Sequence, residues 1–195
     1  MYKSKEIRWF KQRPDKAILD WFVQHGQTFD NTDSRTDYYL PLQKEDIAIK
    51  LRESNIEIKQ RIGEPVKGSL NPDAHGRFEN WIKWSFHADK ADQLSREIVS
   101  GNSHDWIEVA KTRLGIKIIE DSNSNLQIVP VKKQADYGCQ VEYTLLQIGG
   151  KTAYTFALEW FGDSELQLPD KLINEILGST LLHAEYSMGY GEYLR

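Results

Sequence analysis

Apolar and polar residues alternate with period two along much of the chain, a pattern that gives each of a series of β-strands one apolar and one polar face. From Asp46 to Glu53, Ile47, Ile49 and Leu51 point one way while Ala48, Lys50 and Arg52 point the other. Asn55 to Ile62 repeats the scheme, with Ile56, Ile58 and Ile62 on one face and Glu57, Lys59 and Arg61 on the opposite one. The polar Ser54-Asn55 connection makes these two runs an antiparallel hairpin. Further strands are predicted at Lys5 to Phe10, Arg35 to Leu40, Phe78 to Phe86, Trp106 to Leu114, Gly115 to Glu120, Leu126 to Val131, Gln140 to Gln147 and Lys151 to Phe161. Gly149-Gly150 joins the last two as a second hairpin, because paired glycines reach the positive φ of a short turn.

Three helical patterns interrupt the strands: Pro14 to His25, Ala88 to Ser100 ending at Gly101, and Pro169 to roughly Glu185. In the first, Ala17, Ile18, Trp21 and Phe22 form an apolar stripe suited to core packing. Gly63 to Gly76, with two Pro and three Gly, reads as a loop. The tail from Tyr186 to Arg195 fits no element, and its Gly189 and Gly191 precede no helical pattern that would make them a nucleotide-binding turn.

This many strands with few helices predict an α+β chain built on a closed or nearly closed antiparallel barrel, since closure removes the edges of a long sheet. The alternation does not choose which face is inside. If the isoleucines pack outward under helices, the charged face lines an interior; if they pack inward, the charges are solvated.

At 195 residues the chain suits one domain, residues 1–195, with a core that needs no staples. Its 25 Lys and Arg against 29 Asp and Glu leave a net charge of -4, which weighs against nucleic acid as the partner. Six Trp, nine Tyr and seven Phe argue against disorder. No apolar stretch approaches the ~18 residues of a membrane-spanning helix, and Met1 to Phe10 lacks a signal peptide's apolar block, so the expected location is cytoplasmic, without a membrane. Cys139 is the only cysteine, which excludes an internal disulfide and a Cys-rich zinc site; it reads as a small buried hydrophobe. His25, His75, His87, His104 and His183 lack zinc-site spacing and read as surface or capping residues. Trp81 and Trp84 have opposite parity on one strand and so do not share a ligand face.

Candidate chemistry lies on the charged faces. Lys50 with Arg52, Lys59 with Arg61, and Lys111 with Arg113 recur at period two, and Arg8 adds to them. Convergent Lys and Arg bind phosphate oxygens, Arg through a bidentate fork and Lys as a point charge. Glu6, Glu57, Glu142 and Glu159 fall on the less apolar faces, where carboxylates are able to hold a hard divalent cation. Cations, carboxylates and metal together are the apparatus of phosphoryl transfer.

The order Glu6-Ile7-Arg8-Trp9-Phe10, Arg35-Thr36-Asp37-Tyr38-Tyr39-Leu40, Ile49-Lys50-Leu51-Arg52-Glu53 and Ile56-Glu57-Ile58-Lys59-Gln60-Arg61 resembles the CYTH, or triphosphate tunnel metalloenzyme, superfamily. Glu142, Glu159 and the run Ala184-Glu185-Tyr186-Ser187 extend the resemblance over most of the chain. It implies an eight-stranded antiparallel tunnel with a few flanking helices, whose charged interior binds a triphosphate or another phosphate-rich small-molecule anion together with Mg²⁺ or Mn²⁺. Arg8, Lys50, Arg52, Lys59, Arg61, Lys111 and Arg113 would grip phosphates, and Glu6, Glu57, Glu142 and Glu159 would hold metal. The family opens with Glu-x-Glu-x-Lys. Here Arg8 stands in place of the second glutamate and Phe10 in place of the lysine. A cation at a carboxylate position repels a divalent metal. The reading therefore divides between metal-dependent hydrolysis, anion binding without hydrolysis, and a non-catalytic protein-interaction module on the same scaffold.

Overall fold

The computed structural model of the protein describes residues 2–89, 91–100 and 105–195. Among them nine strands form one antiparallel sheet: β1 (Tyr2–Lys11), β2 (Ser34–Leu40), β3 (Ile47–Arg52), β4 (Asn55–Asn71), β5 (Ala74–His87), β6 (Ile107–Glu120), β7 (Leu126–Pro130), β8 (Gly138–Ile148) and β9 (Lys151–Phe161). Eight of them close on themselves in the order β2-β3-β4-β5-β1-β9-β8-β6, with β6 pairing back to β2. Closure works because β6 is long. Its first half, Ile107 to Thr112, pairs with β2, and its second half, Ile116 to Glu120, carries β7. The expected antiparallel barrel is thus the observed one. The helices are few and short: α1 (Lys16–Gln24), α2 (Gln93–Val99), α3 (Asp170–Leu177) and α4 (Tyr190–Tyr193). None of the described helices is long and apolar enough to cross a membrane.

The open question of the two faces is resolved by the core. Ile7 and Trp9 of β1, Leu114, Ile116 and Ile118 of β6, Val141 and Tyr143 of β8, and Phe156 and Leu158 of β9 point outward. There they pack beneath Ile18, Trp21 and Phe22 of α1 and Ile173, Ile176 and Leu177 of α3. The α1 stripe is therefore core, and Cys139 joins the same cluster, its thiol pushed up by burial. The opposite parity, carrying the charges, lines the interior.

Several boundaries differ from the sequence expectation. Gly63 to Gly76 is mostly strand: β4 continues through it, with a register shift between Ile62 and Val66. Gly63, at φ +71, supplies the bend that steps Glu64 and Pro65 out of the ladder. Trp106 to Leu114 and Gly115 to Glu120 are a single strand, because Gly115 keeps its pairing with Glu142. The third helical pattern stops at Leu177, where Gly178 breaks it, and only a single 3-10 turn, Ala184–Tyr186, follows. The second helix begins at Gln93, and Gly101 lies outside the described residues, as does His104. Gly149 and Gly150, at φ +55 and +77, form the β8–β9 turn as expected. His25 Nδ1 sits 2.8 Å from the Trp21 carbonyl at the end of α1, a capping contact.

One end of the barrel is apolar. Phe10, Tyr39, Val109, Leu146 and Ala153 meet Met188, Tyr190, Tyr193 and Leu194 of the tail. Phe10 stacks on Tyr193 at 3.8 Å and meets Tyr190 edge-on at 5.2 Å. The tail is tied down by Arg77, whose guanidinium donates twice to the Glu192 carboxylate at 2.9 Å, and by the Met188 amide, which donates to the Arg8 carbonyl. Phe10 is thus an aromatic anchor for the C-terminal segment.

Candidate functional site

Above that apolar floor the interior holds a cavity of about 280 Å³. Cross-strand register brings its walls together. Lys50 lies opposite Glu57, Asp37 opposite Arg52, and Arg35 opposite Lys111, all pointing inward. On the far wall, Glu6 of β1 sits between Glu159 of β9 and Glu79 of β5. Like charges directly opposed destabilise a sheet, so this arrangement requires cations from elsewhere. Lys59 reaches across from β4 to within 2.5 Å of Glu6, and it lies 3.8 Å from Glu159. Arg61 takes Glu79 at 2.9 Å.

Arg8 occupies the centre of this wall and is 5% exposed. Its Nε donates to Glu6 at 2.7 Å, Nη1 to the Thr155 hydroxyl at 3.1 Å and Nη2 to Glu142 at 3.3 Å. Ala157, paired with both Arg8 and Glu142, is small enough to leave room for the guanidinium. Glu142 also accepts from Arg113 at 2.6 Å and from the Gln140 amide. Burial pushes the Glu6 carboxyl up, yet Arg8 and Lys59 outweigh it and hold the group at about 2. Glu142 is likewise held below the ordinary carboxylate range, burial being overcome by Arg113 and Arg8.

The β6–β2–β3 wall has a different balance. Asp37, fully buried, is surrounded by Arg35 Nε and Arg52 Nε at 3.3 Å, Lys111 Nζ at 3.1 Å and Lys50 Nζ at 3.4 Å. Glu57 shares Lys50 at 3.1 Å and Arg52 at 3.2 Å. Lys111 also donates to the Tyr39 hydroxyl at 2.7 Å and lies 3.7 Å from the Tyr190 ring centroid, a cation–π contact. Burial lowers Lys50 to about 8, with Asp37 and Glu57 opposing the fall and Arg52 adding to it. Lys111 is lowered further for the same first reason.

Of the residues expected from sequence, Arg8, Lys50, Arg52, Lys59, Lys111 and Arg113 line the cavity, together with Glu6, Glu57, Glu142 and Glu159. Arg61 does not; it is spent on Glu79 outside the lining. The four glutamates line one space without converging: among the described residues no three His, Cys, Asp or Glu side chains form a group able to hold a metal ion. Sequence reasoning missed Arg35, Asp37, Tyr39, Trp81, Lys83 and Tyr190. For Arg35, Asp37 and Tyr39 the signal was present, since they share one parity on a single strand. Trp81 lines the cavity while Trp84 points to the other face, as their parity requires.

The fold and site define an antiparallel barrel with a mixed-charge interior. No family model matches the chain, and no curated protein matches it. Among solved structures, the receptor binding domain of botulinum neurotoxin D is similar at 14% identity, over 89% of this chain and 36% of that one, with a TM-score of 0.15. A likeness of that size carries no argument about fold or function.

Proposed function

We propose that the barrel interior binds a phosphate-rich small anion, such as a triphosphate or short polyphosphate, and that the chain is a divergent relative of the triphosphate tunnel superfamily. The observation that carries this reading is the charge balance of the cavity. Among the described residues its lining holds eight cationic side chains (Arg8, Arg35, Lys50, Arg52, Lys59, Lys83, Lys111 and Arg113) against four carboxylates. An enclosed excess of cations favours a polyvalent anion, and Arg and Lys are the side chains that bind phosphoryl oxygens.

The residues do not fit a divalent metal. The guanidinium of Arg8 lies between Glu6 and Glu142, two of the four glutamates that would hold it, and pairs with both. Glu57 is committed to Lys50 and Arg52. The binding proposed is therefore independent of Mg²⁺ and Mn²⁺, with Arg8 as a fixed positive charge, and hydrolysis forms no part of it.

Thermal melting with tripolyphosphate, ATP and orthophosphate, each with and without Mg²⁺ or Mn²⁺, tests this. At a ligand concentration of 100 Kd, mass action contributes about 2.7 kcal/mol, a rise of roughly 5–11 °C for a chain of this size. The expected result is a rise with tripolyphosphate that needs no metal and releases no phosphate. No shift with any of the anions overturns the proposal, and a shift that appears only with metal overturns the role given to Arg8.

A further inference from the structure

The outer wall of the barrel is packed unevenly. Under α1 and α3 the apolar parity of β1, β6, β8 and β9 is filled by large side chains. On β2 and β3 the outward parity presents Thr36, Tyr38 and Leu51, with Tyr38 directly opposite Leu51, and here the neighbouring element is α2. At helical spacing the apolar arc of α2 runs through Leu94, Ser95, Ile98 and Val99, so a serine holds a central place where a packed helix carries a large residue. Ser95 is 8% exposed and Ile98 1%, while Leu94 and Val99 flank them in solvent. A side chain as short as serine does not fill the space between helix and sheet. There lies a cavity of about 660 Å³, larger than the one inside the barrel and within the range of small-molecule sites.

The lining is amphipathic. Leu51, Tyr38 and Val99 give it apolar surface, Ser95 a hydroxyl, and Arg35 and Arg96 two guanidinium groups against the single carboxylate of Glu53. Among the described residues Arg96 forms no ion pair and the Ser95 hydroxyl has no hydrogen-bond partner. An apolar body carrying one anionic head matches both features. The body fills the space that serine leaves, and the head meets the surplus positive charge and the hydroxyl.

We propose that this cavity binds a medium-chain carboxylic acid, its alkyl chain lying between α2 and the Tyr38–Leu51 pair and its carboxylate held by Arg96 and Ser95. The proposal goes beyond the anion-binding reading above and does not rest on it. Arg35 is shared between the two linings, whereas Arg96 and Ser95 belong to this one alone.

Calorimetric titration of the full chain with submicellar sodium decanoate at pH 7.5 tests it, with octanoate and decanol for comparison. The expected result is one decanoate per chain. Octanoate, two methylenes shorter, should bind about fifteenfold more weakly, since each buried methylene contributes about fourfold. Loss of the charge pairing, either in decanol or in Arg96→Ala titrated with decanoate, should cost about tenfold. Ser95→Leu fills the cavity from the helix side and should abolish binding without lowering the melting temperature. Should Ser95→Leu fail to fold, Val99→Trp on the exposed rim carries the same test. No decanoate binding, equal affinity for octanoate and decanoate, or binding that survives the filling variants overturns the site. Decanol bound as tightly as decanoate overturns the carboxylate assignment. Self-association of the chain in place of decanoate uptake makes a second copy the occupant and overturns the proposal as well.

Discussion

Replacing Arg8 by methionine tests whether the barrel's charged interior is held together as described. Methionine fills much of the arginine's volume and removes its charge and all three hydrogen bonds, to Glu6, Thr155 and Glu142. Breaking a buried ion pair from one side costs about 3–5 kcal/mol, because the partner stays buried and uncompensated. The depressed pKa of Glu6, held down against burial by Arg8 and Lys59 together, agrees in sign. For 195 residues that magnitude lowers the melting temperature by roughly 6–20 °C. The deficit should also depend on pH, with a definite sign. The folded pKa of Glu6 is depressed, so its contribution is present above about 4.5 and is lost as pH falls toward 2. The variant loses the Arg8 share of that contribution and keeps the Lys59 share. Its deficit relative to wild type should therefore shrink as pH falls from 7 to 3. Melting followed by circular dichroism at pH 7, 5 and 3 measures both quantities. A drop of less than 2 °C at pH 7, or a deficit that does not change with pH, would refute the reasoning.

Three further outcomes follow from the same geometry. Wild type itself should lose stability as pH falls from 5 to 2 through the Glu6 window, with Glu142 adding to the loss; falling denaturant midpoints across that range check it. The double variant Arg8→Glu with Phe10→Lys turns the central cation into a third carboxylate beside Glu6 and Glu142, so Mn²⁺ should raise its melting temperature and leave wild type unmoved; equal responses would remove the argument that Arg8 keeps metal out. Tyr193→Ala deletes the ring stacked on Phe10 at the closed end and should cost roughly 1–3 kcal/mol, read by melting, with added proteolytic cleavage of the last turn.

Much of the sheet was legible in the sequence, for a physical reason. The β3–β4 and β8–β9 hairpins combine unbroken alternation with a short polar or glycine turn, and local chemistry alone places them. Which face is inside was not legible, because period two specifies that Lys50 and Ile49 point apart and says nothing of which meets water. Long-range packing of α1 and α3 on the isoleucine-and-aromatic face decides it. Composition misled at Gly63 to Gly76, where glycine and proline mark a bulge within a long strand, as they also mark loops. At the site, cation pairs on Lys- and Arg-rich strands drew notice, whereas Asp37, a lone acid, stood out only once four cations were seen to surround it. The tail tyrosines had no periodicity to read, since their structure comes from the barrel end they close.

A barrel interior lined by charges is costly to assemble, since each ion loses its hydration and recovers it only through partners of good geometry. On the β1–β9–β8 wall that condition is met: each guanidinium or ammonium finds a carboxylate, and Thr155 and Gln140 satisfy remaining positions. On the β6–β2–β3 wall it is met less well, because four cations share two carboxylates and the Nε atoms of Arg35 and Arg52 face Asp37 Oδ1 at 3.3 Å without hydrogen-bond geometry. Apolar substitutes for the whole cluster, Asp37 and Glu57 included, would make a barrel at least as stable, whereas removing the cations alone would leave two carboxylates buried without partners. An anion bound as proposed would offset part of that imbalance. Burial disfavours protonation of Lys50 and Lys111, so an anion bound as proposed would raise their basicity and take up protons at this wall. Tripolyphosphate binding at pH 8 should accordingly draw protons from the buffer, and calorimetric heats that do not vary with buffer ionisation enthalpy would show that the imbalance plays no part in recognition.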